Sequence, residues 1–215
     1  LRMETPKNPF PIDFRIREGL SRIAMALRVD EWKKAKDVGL NPTQLAILAL
    51  LEGRKDGLNV KEIAAHLGVS QPTATDSIAA LEKKQRLEKR AEQGDRRAVR
   101  VYLTPMGLAA LQPDTGDSLA EQAVGSLDKL EQQQLLLTLI KMIRHLQESD
   151  AIPVQRMCVT CRYFAPFAHP DAGQPHHCHF VNAAFGQREL RVDCRDHEEA
   201  DPTSRAATWE AFQAG

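Results

Sequence analysis

Four cysteines, Cys158, Cys161, Cys178 and Cys194, are the residues of this 215-residue chain best equipped for chemistry, and it has no others. Cys158-Val159-Thr160-Cys161 sets two thiolates at chelate spacing, and Cys178 and Cys194 follow at wider, nearly equal gaps. Four thiolates suit either a tetrahedral zinc ion or an iron–sulfur cluster. His197, in Cys194-Arg195-Asp196-His197, is the best substitute ligand. His169, His176, His177 and His179 crowd the same stretch and read as solvated loop residues or outer hydrogen-bond donors.

The segment holding these thiols changes character after Met157: it is rich in proline, histidine and aromatics and gives only hints of regular structure. Such a stretch lacks the aliphatic residues for a core of its own, so a metal staple is expected to hold it. The closing Thr203-to-Phe212 run predicts a short helix that packs Trp209 and Phe212 on the dimer or on the module. A thiol oxidoreductase is the enzymatic alternative, but Cys158 follows no predicted strand of a βαβ unit and two further cysteines would be left over.

One CxxC followed by two isolated cysteines, with Cys161-Arg162-Tyr163-Phe164 running towards a proline, resembles high-potential iron–sulfur proteins and related small cluster-binding subunits. The resemblance covers about forty residues. It implies a four-iron, four-sulfide cluster on Cys158, Cys161, Cys178 and Cys194, with Tyr163, Phe164, Phe167, Phe180 and Phe185 walling it from water. Zn2+ stays open as the alternative.

What positions this module is a stretch from Asn59 to Pro105 with the periodicity of two short helices and a hairpin. Ile63, Ala64 and Leu67 share one helical face, and Ala74, Ile78 and Leu81 another, so the two faces can pack together. Gly68 supplies a left-handed residue between them, Ser70 can N-cap the second helix, and Pro72 suits its first turn. After Leu87 the pattern alternates, with Val99, Val101 and Leu103 on one side of a strand and Arg100 and Tyr102 on the other. Gly94-Asp95 marks the tip, and Arg90, Arg96, Arg97 and Arg100 lie on or beside it, where guanidinium groups suit phosphates or a narrow minor groove. This is a winged helix-turn-helix. Its predicted DNA-binding residues are Ser70, Gln71, Pro72, Thr73, Thr75 and Ser77 on the second helix, with Arg90, Arg96, Arg97 and Arg100 on the wing.

Val69-to-Thr75 (VSQPTAT), Leu81-to-Lys84 (LEKK), Gly94-to-Arg97 (GDRR) and Leu103-to-Gly107 (LTPMG) together resemble the MarR family of bacterial transcription regulators. The resemblance runs over roughly Ile12 to Leu146 and implies a homodimer whose recognition helices read a pseudo-palindromic duplex site. It also implies, for many members, a small-molecule effector bound between the dimer helices and the winged domain. Asp76 and Ala80 stand where the family is commonly basic, and Gln85 replaces a glycine after LEKK, at a cost if that residue is left-handed.

The remaining elements follow from periodicity. Ile16, Leu20, Ile23, Ala24 and Leu27 predict an amphipathic helix over Ile12–Lys36, which the family resemblance assigns to a dimer interface. Asn41-Pro42-Thr43 starts a helix that continues to Gly53. Thr104 and Pro105 start another, broken at Pro113–Gly116. Ser118–Gln147 predicts one leucine-rich helix, to be covered by the first helix, by a second copy of the chain, or by both.

The fold class expected is mainly α with a small β-wing: a winged helix-turn-helix, a helical dimerisation domain and a small irregular metal-binding C-terminal module. The boundaries are 1–40 for the N-terminal dimerisation helix, 41–111 for the DNA-binding domain, 112–150 for the C-terminal dimerisation helices and 151–215 for the cysteine-rich module.

Formal net charge is zero, so any nucleic-acid footprint must be local. No apolar run reaches membrane-spanning length, and Leu1-Arg2-Met3 leads into polar, proline-broken sequence unlike a signal peptide. Cytoplasmic residence is expected, where four cysteines are poor candidates for structural disulfides. With no Ser-His-Asp pattern, HExxH or phosphate loop, the chain reads as a regulator and not an enzyme. The leading expectation is a dimeric MarR-like DNA-binding regulator modulated by its metal centre. The alternative is the same regulator responding to a small ligand, with structural zinc.

Overall fold

The computed structural model describes residues 10–92, 95–111 and 118–215, the side chains of residues 92 and 95–98 excepted. A long helix α1 (Ile12–Asp37) precedes three shorter ones, α2 (Pro42–Leu51), α3 (Val60–Leu67) and α4 (Gln71–Lys83). A hairpin follows, β1 (Leu87–Glu92) with β2 (Asp95–Leu103), then α5 (Pro105–Ala109), α6 (Leu119–Gly125) and α7 (Lys129–Glu148). The C-terminal part adds three short strands, β3 (Phe164–Ala165), β4 (His176–Cys178) and β5 (Ala183–Phe185), and helix α8 (Pro202–Ala214).

Local chemistry sets the helix starts. Asn41 and Asn59 each form a reciprocal capping box, with Gln44 and Glu62, so α2 and α3 begin where two orphan amides find side-chain acceptors. Ser70 accepts the Thr73 amide to start α4, and Thr104 accepts that of Gly107 to start α5. Gly68 adopts φ 62° at the end of α3, the left-handed turn that lets α4 cross it. Gln85 also sits at φ 56°, so a non-glycine residue does occupy a left-handed turn after α4.

The winged domain closes around an aliphatic core. Ile47, Leu48, Ile63, Ile78, Leu81, Leu87 and Val101 are all buried, drawn from α2, α3, α4 and both strands of the hairpin. β1 and β2 run antiparallel, Leu87 opposite Leu103 and Arg90 opposite Arg100. Leu58 adds a bridge to Val101, with amide–carbonyl bonds in both directions, so the loop before α3 is stitched to the wing. The hairpin tip at 93–94 and the predicted break at Pro113–Gly116 lie outside the described residues.

The single helix expected over Ser118–Gln147 is two. α6 ends near Ser126, and Asp128 forms a new capping box with Glu131 to begin α7. α6 leans on α1, where Asp30 accepts the Ala120 amide at 3.2 Å.

The covering of α7 also differs from expectation. Leu136, Leu137, Ile140 and Ile143 pack against Met157, Val159, Phe164, Leu190, Trp209 and Phe212, so the cysteine module of the same chain covers that face. The module therefore has a core, built from aromatics and borrowed helix. The segment is poor in aliphatic residues, as expected, and α7 supplies them, so a shared core stands beside the expected metal staple. Leu135, Met142 and Leu146 stay exposed on α7, as do Ile12, Ile16, Leu20, Ile23, Leu27 and Trp32 on α1. Among the described residues no helix is long and apolar enough to cross a membrane.

Candidate functional site

Helix α4 presents Gln71, Pro72, Thr73, Thr75 and Asp76 to solvent, with Ser70 exposed at its cap. Ser70 is partly engaged, since its hydroxyl lies 2.8 Å from that of Thr73, and Thr75 donates to the Gln71 carbonyl at 2.9 Å. Gln71 thus offers an amide with both a donor and an acceptor. Ser77 is a correction: it is only 9% exposed and faces the core, one helical turn behind Ala74.

On the wing, Arg90 lies over the Tyr102 ring at 4.6 Å and pairs with Glu88, an exposed arrangement that keeps the guanidinium at the surface. Arg100 is placed differently. Half-buried, it reaches the Gly57 carbonyl at 3.4 Å and Glu62 at 3.8 Å, so it braces the wing against the α2–α3 loop instead of projecting from it. The side chains of Arg96 and Arg97 lie outside the described residues.

The four cysteines meet at one place. Cys158, Cys161, Cys178 and Cys194 line a single cavity of about 240 Å³, together with Tyr163, Phe164, Phe180, Val181, Ala183 and Phe185. Three local devices put them there. Cys158–Thr160 forms a 3₁₀ turn in which the Cys161 amide bonds the Cys158 carbonyl at 2.9 Å. β4 is the central strand of an antiparallel sheet, with Phe164 and Ala183 opposite Cys178, so all three reach the same face. Cys194 is held by its amide to the Arg156 carbonyl at 2.8 Å, and Cys158 by its amide to the Arg191 carbonyl at 3.0 Å.

Donors are aimed at the sulfurs. The Arg191 amide lies 3.3 Å from Cys158 Sγ, and its guanidinium 3.5 Å from Cys194 Sγ. Burial pushes the Cys158 thiol up to about 11, against the Arg191 amide, and the other three thiols push the same way. Burial also raises Cys161, offset by backbone donors from Tyr163 and Glu198. Buried, raised thiols work against a thiol oxidoreductase, whose nucleophile needs a lowered pKa.

Among the described residues, no three His, Cys, Asp or Glu side chains converge to hold one metal ion. The four thiols line one partly open cavity of about 240 Å³, which Glu189, Arg191 and Asp196 also line. Four thiols on one cavity are a donor set that a zinc ion or an iron–sulfur cluster can use.

Two expectations about the pocket are corrected. His197 does not line it; its Nε2 lies 3.0 Å from the Thr160 hydroxyl. Phe167 packs on Phe212 and His176. His176, expected among solvated residues, is fully buried between Phe164, Phe167, Phe185 and Phe212, with Nδ1 accepting the Phe167 amide at 3.3 Å. Strand alternation was the signal that could have found it, because His176 and Cys178 share one face of β4.

Residues 38–98 match the model of the MarR family. Among solved structures, a MarR transcriptional regulator from Methanosarcina mazei Go1 aligns at 24% identity and TM-score 0.54, covering 62% of this chain and 96% of its own. The transcriptional regulator SlyA aligns at 21% identity and TM-score 0.51, covering 62% of this chain and 95% of its own. MepR of Staphylococcus aureus, in a complex with DNA, aligns at 23% identity and TM-score 0.50, covering 64% of this chain and 99% of its own. No curated protein matches the chain in sequence. The chain therefore carries a MarR-type winged-helix fold.

Proposed function

We propose that the chain is a MarR-like transcription regulator that binds double-stranded DNA as a homodimer, and that its cysteine pocket holds an iron–sulfur cluster whose presence adjusts that binding. The observation that carries the cofactor is four thiols around one apolar cavity, with amide and guanidinium donors aimed at them. Cys158, Cys161, Cys178 and Cys194 would be the ligands. A bound cluster supplies a reversible one-electron centre whose potential responds to hydrogen bonds at its sulfurs. Arg191 donates to two of those sulfurs, and Tyr163, Phe164 and Phe185 keep water from the pocket.

DNA binding rests on the MarR match over residues 38–98 and on the exposed polar head of α4. Gln71 and Thr73 would face base edges in the major groove, with Arg90 at the phosphates. The homodimer rests on apolar surface that a monomer leaves wet: Ile12, Ile16, Ile23 and Trp32 on α1 are each more than half exposed. Two such faces, closed on each other with the free stripe of α7, would set two α4 helices on successive turns of a duplex.

The test is to purify the protein anaerobically, measure iron and acid-labile sulfide, and select duplex sequences with the loaded dimer. Brown protein with about four irons per chain and operator affinity that changes on cluster removal is expected. Colourless protein containing zinc would overturn the cofactor.

A second reading has an observation of its own. A cavity of about 390 Å³ lies between α2, α3 and the Gln155–Arg156 linker, lined by Leu45, Ala49, Leu50, Arg54, His66 and Arg156. It would suit a small anionic ligand as effector, with the cysteine centre purely structural. Under that reading Cys161→Ser unfolds the tail without any redox-dependent change in DNA binding.

A further inference from the structure

We infer that Glu52, at the C-terminal end of α2, is the joint through which the cysteine pocket sets the position of the wing. This rests on the reading of that pocket as a cofactor site. Two segments carry cysteine ligands and grip Glu52 at the same time. Arg156, two residues before Cys158, is only 7% exposed; its Nη1 donates to the Glu52 carbonyl at 2.5 Å and its Nε to Asp193 at 2.6 Å. Arg195, the residue after Cys194, pairs with the Glu52 carboxylate. Asp193, Cys194 and Arg195 are consecutive, so one strap holds a thiol and both ends of the grip.

The far side of Glu52 is stiff. Gly53 adopts φ +74°, and a Cβ there would lie 2.8 Å from that of Arg195, so the loop is fitted against the strap. Gly57 adopts φ +59°, and a Cβ there would lie 2.5 Å from the Val101 carbonyl, so the loop's other end is fitted against the wing. Between them, Arg54 and Gly57 close two backbone turns, at 3.1 and 3.3 Å, and Leu58 joins Val101 in the ladder. Arg100 completes the seam on the Gly57 carbonyl. Five residues with a glycine at each contact, bonded at both ends, form a short lever from strap to wing.

With the thiols drawn around an occupied pocket, the strap is fixed and Glu52 is held. With the pocket empty, the strap loses the anchor at Cys194 and keeps only its own hydrogen bonds and ion pairs, and the grip on Glu52 loosens. The wing and the start of α3 then lose a brace, and with them the fixed spacing between wing and α4 that a duplex requires.

The experiment is hydrogen exchange on the full chain, loaded and cluster-free, reading peptides that cover 53–58 and 99–103, for the wild type, Arg195→Ala and Glu52→Ala. Absorption reports cluster content separately. Loaded wild type should exchange roughly two- to fivefold more slowly in both peptides than cluster-free protein, the scale of a partly exposed ion pair. In both variants that difference should shrink, since only the Arg156 bond to the Glu52 carbonyl then remains, while the colour stays. Equal exchange in loaded and cluster-free wild type would overturn the joint and leave the cofactor standing. If the protein takes up no cluster, the cofactor reading fails. The joint is then judged by Arg195→Ala against wild type, where unchanged exchange at 53–58 and 99–103 overturns it.

Discussion

The winged domain and the cysteine module solve the same problem with different materials. The first buries Ile47, Leu48, Ile63, Ile78, Leu81 and Val101 from three consecutive helices and a hairpin, an aliphatic core. The second buries Phe164, Trp209 and Phe212 against Ile140 of α7, and its other side opens on a cavity with a thiol at each of four corners. One core is complete when the chain folds. The other combines a small aromatic core with an open cavity lined by its four cysteines. On the proposed reading as a regulator, that division would couple a rigid winged domain to a part whose stability is conditional.

The sharpest way to break this comparison is to damage the complete core. Leu81→Ala should cost about 2–5 kcal/mol and abolish DNA binding, because Leu81 is fully buried between α4 and its neighbours. Denaturation followed by circular dichroism and, in a Trp32→Phe background, by Trp209 fluorescence compares the helices of the whole chain with the module. If both signals fall together by the full amount, the regions form one cooperative unit and the contrast fails.

Cys178→Ser is the matching lesion in the other region. It should remove the cluster and expose amides in β3 to β5, while those of Ile63 and Ile78 keep their exchange rates. Retained colour would show that the fourth thiol is not a ligand.

A smaller effect is expected at the reading head. Gln71→Ala should lose about 1–3 kcal/mol of discrimination at one base pair, with the salt dependence of binding unchanged. Equal loss on all sequences would make Gln71 a positioning contact instead of a base reader.

The smallest effect concerns the seam between the regions, where His66 faces Pro153. Its Nδ1 is buried with no partner, and burial, then Arg54, holds its pKa below the ordinary 6.5. A group lowered in this way gives its stability above the unfolded value and loses it as pH falls through the folded one. Wild type should therefore soften on acidification from about pH 7 towards 5, and His66→Gln should soften less. A thermal-shift series on both proteins gives the answer; parallel curves would remove His66 from the seam.

Much of the fold could be read without coordinates because its signals are local. Capping residues Asn41, Ser70 and Thr104, the left-handed Gly68 and the alternation of Val99, Val101 and Leu103 each act within a turn or a strand. The four thiols were legible as a set for the same reason, CxxC being a chelate on its own. Misjudged were Ser77, Arg100, Phe167, His176 and His197, and each error has one cause. Whether a polar or aromatic side chain faces solvent, core or pocket depends on what packs across from it.

Residue types and spacing alone determined that a winged helix-turn-helix would form and that four cysteines fall in one short module, since both are read at short range. Tertiary structure alone decided three things. The cysteine module folds back to cover α7, the four cysteines line one cavity, and Glu52 of the winged domain is held by Arg156 and Arg195, close in sequence to Cys158 and Cys194. The grip on Glu52 joins positions more than a hundred apart and the cover of α7 joins positions tens apart, and such contacts are set by the mutual burial of whole surfaces, which no local pattern encodes.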